Sequence, residues 1–219
     1  MQRLILILAL ASGILALNYV NNHLKKNITH AKVHEVFHNK YTRKSSVSKC
    51  TNFDWKMHNA TLTATECLNS KFDAEKLSFC HYTERELRKC LDKPKLLLDQ
   101  CMPSKSKGLP DLVFEMLFGL LDFICKAEGF RLIELTNPCI TLTLSNFSQN
   151  TCIDELDAQA EKFMGPEMCL SKSQLCQLMR SFKTCLDSIL KTYCTSPVTR
   201  DNFFKFYDVI LVPCKNHDI

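Results

Sequence analysis

The sequence predicts an all-α fold, a disulfide-rich helical bundle over residues 50–219, and three observations favour it. Apolar residues in this region recur at spacings of three and four, which is the pattern of helices buried on one side. The same region holds all thirteen cysteines, enough for six disulfides. Only Cys139 to Phe147 alternates like a strand, and helix or loop is expected there because no partner strand is visible.

An apolar leader opens the chain. Arg3 precedes an apolar run from Leu4 to Leu17 that contains several small residues. This pattern predicts a signal peptide over residues 1–17, and hence a secreted, extracellular protein. The alternative is an uncleaved anchor, but the seventeen residues from Leu4 to Val20 are marginal for a bilayer core of about 30 Å.

Residues 18–49 form a basic arm. They hold seven Lys or Arg against one acid, whereas residues 50–219 hold twenty against twenty-two. We expect the arm to be partly disordered, and its charge would favour weak contact with anionic surfaces. Nucleic acid is not expected as a partner of the protein.

Three histidines in the arm are spaced for one face of a helix. His30, His34 and His38 stand at i, i+4 and i+8. Histidines four apart can chelate zinc or copper, but no cysteine or carboxylate completes the set on that face. Val33 and Phe37 beside them favour a short amphipathic helix that docks on another surface. The protein is therefore expected to need no metal or cofactor.

Capping residues predict where helices begin within residues 50–219, which we call the body of the protein. Thr83 with Glu86 forms a capping box, and so does Ser171 with Gln174. The second box precedes a long run of apolar residues at helical spacing. Thr199 is expected to open the last helix.

The segment from Leu109 to Gly129 is the most apolar part of the body. Pro110 suits the first turn of a helix and Gly129 its exit. From Leu112 to Cys125 the only polar side chains are Glu115 and Asp122. Fourteen residues make a helix of about 21 Å, which is too short to span a membrane. The helix is therefore expected to be enclosed within the protein.

The cysteine spacings repeat along the chain. The numbers of intervening residues are nine, ten and twenty-three in one set and eight, eight and nineteen in the other. The two sets are Cys80, Cys90, Cys101, Cys125 and Cys176, Cys185, Cys194, Cys214. This repeated spacing predicts two related helical repeats, over residues 67–139 and 165–214. Chance similarity between amphipathic helices is the alternative.

Disulfide pairing is only partly constrained by the sequence. Cys176 and Cys185 would face opposite sides of one helix, so each must bond to a different neighbour. One thiol is left over, which could be buried or could link two chains, so the protein is expected to be a monomer or a disulfide-linked dimer. Twelve of the following are expected to pair: Cys50, Cys67, Cys80, Cys90, Cys101, Cys125, Cys139, Cys152, Cys169, Cys176, Cys185, Cys194 and Cys214.

Three N-x-S/T sequons agree with passage through the secretory pathway. They predict glycosylation at Asn27, Asn59 and Asn146. Any one of them could occur by chance, because the pattern is loose.

No motif for catalysis is present. The five glycines are too scattered for a phosphate-binding loop or a nucleophile elbow. Five of the seven histidines lie in the first 58 residues and His217 stands near the C-terminus. The remaining His81 adjoins Cys80, and a Cys-His pair adjacent in sequence is not a catalytic arrangement. The sequence therefore predicts that the protein is not an enzyme.

Several segments resemble one known family. The motifs are "LLDFICKAEG" from Leu120, "NPC" from Asn137, "NTC" from Asn150, and the closing section from Cys176 to "FFKFYDVILVPC". Together they are similar to the insect 27-kDa haemolymph glycoprotein family. The resemblance implies a secreted, glycosylated, cysteine-rich helical protein of arthropod body fluid, with no catalytic residues to carry over.

The leading functional hypothesis is a carrier or binding protein for lipid or another small apolar ligand. Two nearly all-apolar helices, Leu112 to Cys125 and Phe203 to Val212, could either touch or leave a gap for a ligand. Packing of a solid core is the alternative explanation of these residues. The alternative function is a secreted immune, venom or salivary interaction protein that acts through its surface and basic arm. The expected lining residues are Phe114, Leu117, Phe118, Leu121, Phe182, Phe203, Phe206, Tyr207 and Ile210.

Overall fold

The structure is a computed structural model in which five segments of the chain are described. They are residues 50–71, 79–127, 129–145, 151–164 and 169–217. The predicted signal peptide (1–17) and basic arm (18–49) lie outside these segments, as do Asn27, Asn146 and the histidines His30, His34 and His38.

All regular elements of the described segments are helical, which confirms the all-α prediction. A π-helical turn at Thr83–Leu87 joins two of the helices, and 3₁₀ turns stand at Ser104–Ser106 and Val212–His217. None of the helices in the described segments is long and apolar enough to cross a membrane. The helices are α1 (Phe53–Lys71), α2 (Phe79–Tyr82), α3 (Arg88–Cys101), α4 (Leu109–Lys126), α5 (Gly129–Leu135), α6 (Pro138–Ser145), α7 (Thr151–Met164), α8 (Lys172–Tyr193) and α9 (Pro197–Leu211).

The chain divides into two compact units, residues 1–117 and residues 118–219, and the boundary falls within α4. In the first unit, α1 packs along α3. The Cys67–Cys90 disulfide joins these two helices, and Cys50–Cys101 ties the residues before α1 to the end of α3. The Tyr82 hydroxyl adds a cross-link, since it donates to the Leu68 carbonyl at 3.1 Å.

The second unit is organised around α8. One disulfide ties this helix to α7 through Cys185–Cys152, and another ties it to the C-terminal turn through Cys176–Cys214. The prediction that Cys176 and Cys185 bond to different neighbours is therefore confirmed. A third disulfide joins Cys194, which caps α8, to Cys139 in α6. The apolar stripe of α8 is buried as its spacing predicts: Leu175, Leu178, Met179, Phe182, Leu186, Ile189 and Leu190.

The structure confirms the predicted capping box at Ser171 and the expectation that the segment after Cys139 is not a strand. Ser171 and Gln174 form a reciprocal capping box, with the Gln174 N–H donating to Ser171 Oγ at 3.2 Å and the Ser171 N–H donating to Gln174 Oε1 at 3.0 Å. Each side chain satisfies a backbone N–H that has no partner within the helix. The strand-like segment after Cys139 belongs to helix α6.

Three predicted boundaries are wrong. Thr83 does not begin a helix, because the backbone is already helical from Phe79. Helix α9 begins at Pro197 rather than Thr199, because the Ser196 side chain caps it and proline has a φ suited to the first turn. Helix α4 ends at Lys126, and Gly129 is the first residue of α5 rather than the exit of α4.

The pairing order of the disulfides repeats along the chain. Without Cys169, the cysteines form two sets of six. In each set the first bonds the fifth and the second bonds the fourth. The third bonds the sixth in the later set, and the corresponding Cys80 and Cys125 of the earlier set are also disulfide-bonded. The two sets span residues 50–125 and 139–214, so they do not share the bounds of the predicted repeats over residues 67–139 and 165–214, which stay a prediction.

Candidate functional site

The nine residues expected to line a ligand site fall in both units. Phe114 and Leu117 belong to the first unit and are half-buried. The other seven belong to the second unit and are buried: Phe118, Leu121, Phe182, Phe203, Phe206, Tyr207 and Ile210. Most of the expected lining residues therefore belong to the second unit.

Within the second unit, the two most apolar helices touch each other. The ring of Phe123 on α4 meets the ring of Phe206 on α9 edge to face, with centroids 5.7 Å apart. One turn earlier on α4, a Cβ added to Gly119 would lie 3.4 Å from Val209 Cγ1. The absence of a side chain at Gly119 lets the helices approach, so at these positions they leave no gap.

Two further ring contacts involve α8 and α9, and we use the name aromatic cluster for the five residues of these contacts: Phe123, Phe182, Phe203, Phe206 and Tyr207. Phe203 and Phe206 lie 6.4 Å apart, and Phe182 lies 5.9 Å from Tyr207. The Tyr207 hydroxyl donates to the Met179 carbonyl at 2.8 Å. Burial raises the pKa of Tyr207 well above its ordinary value, because the phenolate would lose its solvation.

Phe123 is a member of the cluster that sequence reasoning missed. It stands four residues after Gly119, so both belong to one face of α4. The helical spacing from that glycine was the signal that could have identified it.

A polar junction fixes α5 against the start of α9. The fully buried Thr199 donates from its hydroxyl to Glu134 Oε2 at 2.5 Å and accepts from Asn137 Nδ2 at 3.3 Å. Asn137 also accepts from the Cys139 N–H at 3.1 Å, which caps α6. Ser196 Oγ lies 3.0 Å from Thr199 Oγ1 and closes the network.

Beside this junction the structure exposes three apolar side chains, which we call the α5–α9 surface. Phe130 is 54% exposed, Ile133 is 70% exposed and Val198 is 54% exposed. Ile133 and Val198 are the chain neighbours of Glu134 and Thr199, the two residues joined by the short hydrogen bond. Sequence reasoning missed this surface because α5 has only seven residues, too few for a periodic pattern.

Metal-binding side chains do not gather in the described part of the chain. No group of three or more His, Cys, Asp or Glu residues there could hold a metal ion. The three histidines of the arm that could chelate a metal, His30, His34 and His38, lie outside the described segments. Cys169, the cysteine beyond the six disulfides, is a buried thiol.

A comparison with family models gives one match, over residues 77–213. The matching model is described as a protein of unknown function, DUF1397, and it spans more than half of the chain. The chain belongs to the DUF1397 family. Comparisons with curated proteins and with solved structures found no match.

The DUF1397 region contains both candidate features of the second unit. The aromatic cluster and the α5–α9 surface lie entirely within residues 77–213, whereas α1 precedes that range. Any function shared across DUF1397 would therefore be carried by α2 to α9.

Proposed function

We propose that the protein is a secreted, glycosylated and non-catalytic carrier of the haemolymph type, which binds lipid or another small apolar ligand at its second unit. The observation that carries the proposal is the α5–α9 surface, formed by Phe130, Ile133 and Val198. An exposed group of large apolar side chains marks a binding surface more often than isolated ones do. Helix α9 joins this surface to the aromatic cluster, since it carries Val198, Phe203 and Phe206.

The surface is suited to an apolar ligand because it is preorganised. Four hydrogen-bonding side chains at the Thr199 junction fix α5 against α9. A ligand therefore pays little conformational entropy to order the site, and burial of each large apolar side chain contributes about 1.5–3 kcal/mol at most.

Three further observations support the secreted and glycosylated parts of the proposal. Six disulfides are typical of proteins that fold in an oxidising compartment. Asn59, the sequon within the described segments, is exposed on α1. The resemblance to the insect 27-kDa haemolymph glycoprotein family, over roughly Cys50 to Cys214, overlaps the region that matches DUF1397.

Ligand content tests the proposal directly. The full chain, secreted from eukaryotic cells, should release lipid on solvent extraction, detected by mass spectrometry, and should bind a fluorescent fatty-acid probe. Absence of both extracted lipid and probe binding would contradict the proposal.

The alternative, an interaction protein acting through its basic arm, predicts that loss of residues 18–49 abolishes activity, whereas a carrier should retain its probe affinity.

A matched pair of variants locates the site. The double substitution Phe130→Ser and Ile133→Ser should weaken probe binding by about tenfold, because it removes apolar area that the ligand would cover. Leu62→Ser is the control, since Leu62 is also exposed and apolar but lies in the first unit. Equal affinities in the double variant and the control would place the ligand elsewhere.

A further inference from the structure

Helix α1 has two contrasting faces. The inner face carries Ala60, Ala64 and Cys67, of which Ala64 is buried and Cys67 is bonded to Cys90 of α3. The outer face carries exposed polar side chains such as Asn59 and Glu66, together with large exposed apolar ones. An amphipathic helix that packs on one side would ordinarily place polar residues there.

Two large apolar side chains stand on the outer face. Trp55, the only tryptophan of the chain, is 65% exposed, and Leu62 is 48% exposed. They are seven residues apart, so they lie on one line along the helix and about 10 Å apart in rise. Keeping so much apolar surface in water is unfavourable unless something covers it.

The sequon Asn59-Ala60-Thr61 occupies the middle of this line. Asn59 is exposed and stands four residues after Trp55 and three before Leu62. At about 100° per residue, all three side chains project within an arc of about 60°. The attachment point of a glycan therefore lies between the two exposed apolar side chains.

We propose that Asn59 carries an N-linked glycan whose first sugar packs on Trp55. The inference rests on the secretory route of the proposed function. In the transfer step, Asn59 Nδ2 forms a bond to the anomeric carbon of the first N-acetylglucosamine of a lipid-linked oligosaccharide. The bond from that carbon to the lipid diphosphate breaks, and one amide proton leaves Nδ2 for solvent.

A sugar fits the exposed side chains of Trp55 and Leu62 better than a protein partner would. One face of a pyranose ring presents C–H groups, which pack on the electron-rich face of an indole, while its hydroxyls stay in water. Asn59 lies about 6 Å from Trp55 in rise, and its Cα–Cβ bond tilts toward the helix N-terminus, so the first sugar ring can reach the indole. A stable protein interface needs about 800 Å² on each partner, far more than these two side chains supply.

Occupancy and contact are tested separately on the full secreted chain. Peptide mass spectrometry should find Asn59 glycosylated. Native removal of the glycan by an endoglycosidase should then shift Trp55 emission to longer wavelength. It should also raise acrylamide quenching about twofold, in proportion to the area that the sugar had covered.

Two variants should reproduce the deglycosylated signal by different routes. Asn59→Gln removes the attachment atom, and Thr61→Ala removes the sequon but keeps the asparagine. Asn146→Gln is the matched control and should leave Trp55 quenching unchanged, because it removes a different sequon. Circular dichroism should show the same helix content in all three variants.

Several outcomes would overturn the inference. An empty Asn59 in a chain that is secreted and glycosylated elsewhere contradicts the inference alone. So does a glycan at Asn59 whose removal leaves Trp55 quenching unchanged. Retention of the whole chain inside the cell, by contrast, contradicts the secretory route of the proposed function as well.

Discussion

Tyr207 shows how a single polar atom can be accommodated in the aromatic cluster. Its side chain is fully buried, and its hydroxyl donates to the Met179 carbonyl of α8. A buried hydroxyl without a hydrogen-bond partner would cost about 1–3 kcal/mol. Because this hydroxyl has a partner, tyrosine is tolerated at a position where the surroundings are otherwise apolar. The bond also specifies how α9 is rotated against α8.

Burial of Tyr207 predicts a loss of stability at alkaline pH. Its pKa in the folded state is raised, whereas in the unfolded chain it is about 10. Below pH 10 the phenol is neutral in both states; above it only the unfolded state ionises. The free energy of unfolding should therefore fall, by up to about 1.4 kcal/mol per pH unit from this residue.

Urea unfolding at several pH values measures this effect. The Tyr207→Phe variant should be less stable at neutral pH by about 1 kcal/mol, because it loses the hydrogen bond, and its stability should fall less steeply above pH 10. Tyr193→Phe, at an exposed position, should keep the steeper fall. Identical slopes in the wild type and the Tyr207 variant would show that this phenol ionises while folded.

At the scale of elements, the contact between α4 and α9 involves a glycine. The backbone of Gly119 faces Val209, and the position of a Cβ there would be in ordinary van der Waals contact, 3.4 Å from Val209 Cγ1. There is room for one methyl group and for little beyond it. Close packing thus requires a small residue at position 119, although not glycine itself.

Substitutions at Gly119 should have opposite effects according to size. Gly119→Ala should stabilise the protein by up to about 1 kcal/mol, because alanine favours the helix and fits the space. Gly119→Phe should destabilise it by about 1–3 kcal/mol through overpacking against Val209. Thermal and urea unfolding provide the measurement.

Gly129 offers a control for these variants. A Cβ added there meets nothing within 4 Å, so Gly129→Phe should be tolerated. If Gly119→Phe were as stable as Gly129→Phe, the two apolar helices would not be in close contact.

Some elements were predictable from sequence and others were not, for identifiable reasons. The long helix α8 and its capping box were predicted because twenty-two residues give a clear period. The start of α9 was misplaced because two hydroxyl residues compete, and Ser196 followed by proline is the better cap. Helix α5 and its exposed Phe130 and Ile133 were missed because seven residues give no period.

At the scale of the whole molecule, the disulfides constrain the chain extensively. Five of the six disulfides join cysteines that are 23 to 55 positions apart in the sequence. In the chain-entropy model, each loop of this size stabilises the folded state by about 3–4 kcal/mol. The sequence alone could not give the pairing, because spacing fixes which way a cysteine faces but not which neighbour it meets.

The pairing predicts one reactive thiol per chain. In denaturant without a reductant, alkylation should label a single cysteine, Cys169, identified by peptide mapping. In the native protein the labelling should be slow, because Cys169 is only 3% exposed. The Cys169→Ser variant should give no label, and a second labelled cysteine in the wild type would contradict the pairing.

The same burial bears on the predicted oligomeric state. A thiol enclosed in the second unit is poorly placed to bond with another chain, so the protein should run as a single chain on a non-reducing gel. A band of twice the mass that disappears on reduction would instead support the disulfide-linked dimer.

The nested order of the disulfides has a consequence for a protein exposed to proteases. Cys50–Cys101 encloses Cys67–Cys90, and Cys139–Cys194 overlaps Cys176–Cys214. A single peptide-bond cut between Cys50 and Cys101, or between Cys139 and Cys214, therefore leaves both fragments covalently attached. A molecule nicked within either range would keep both ends of each severed loop, so a single cut there would not by itself release any part of the chain.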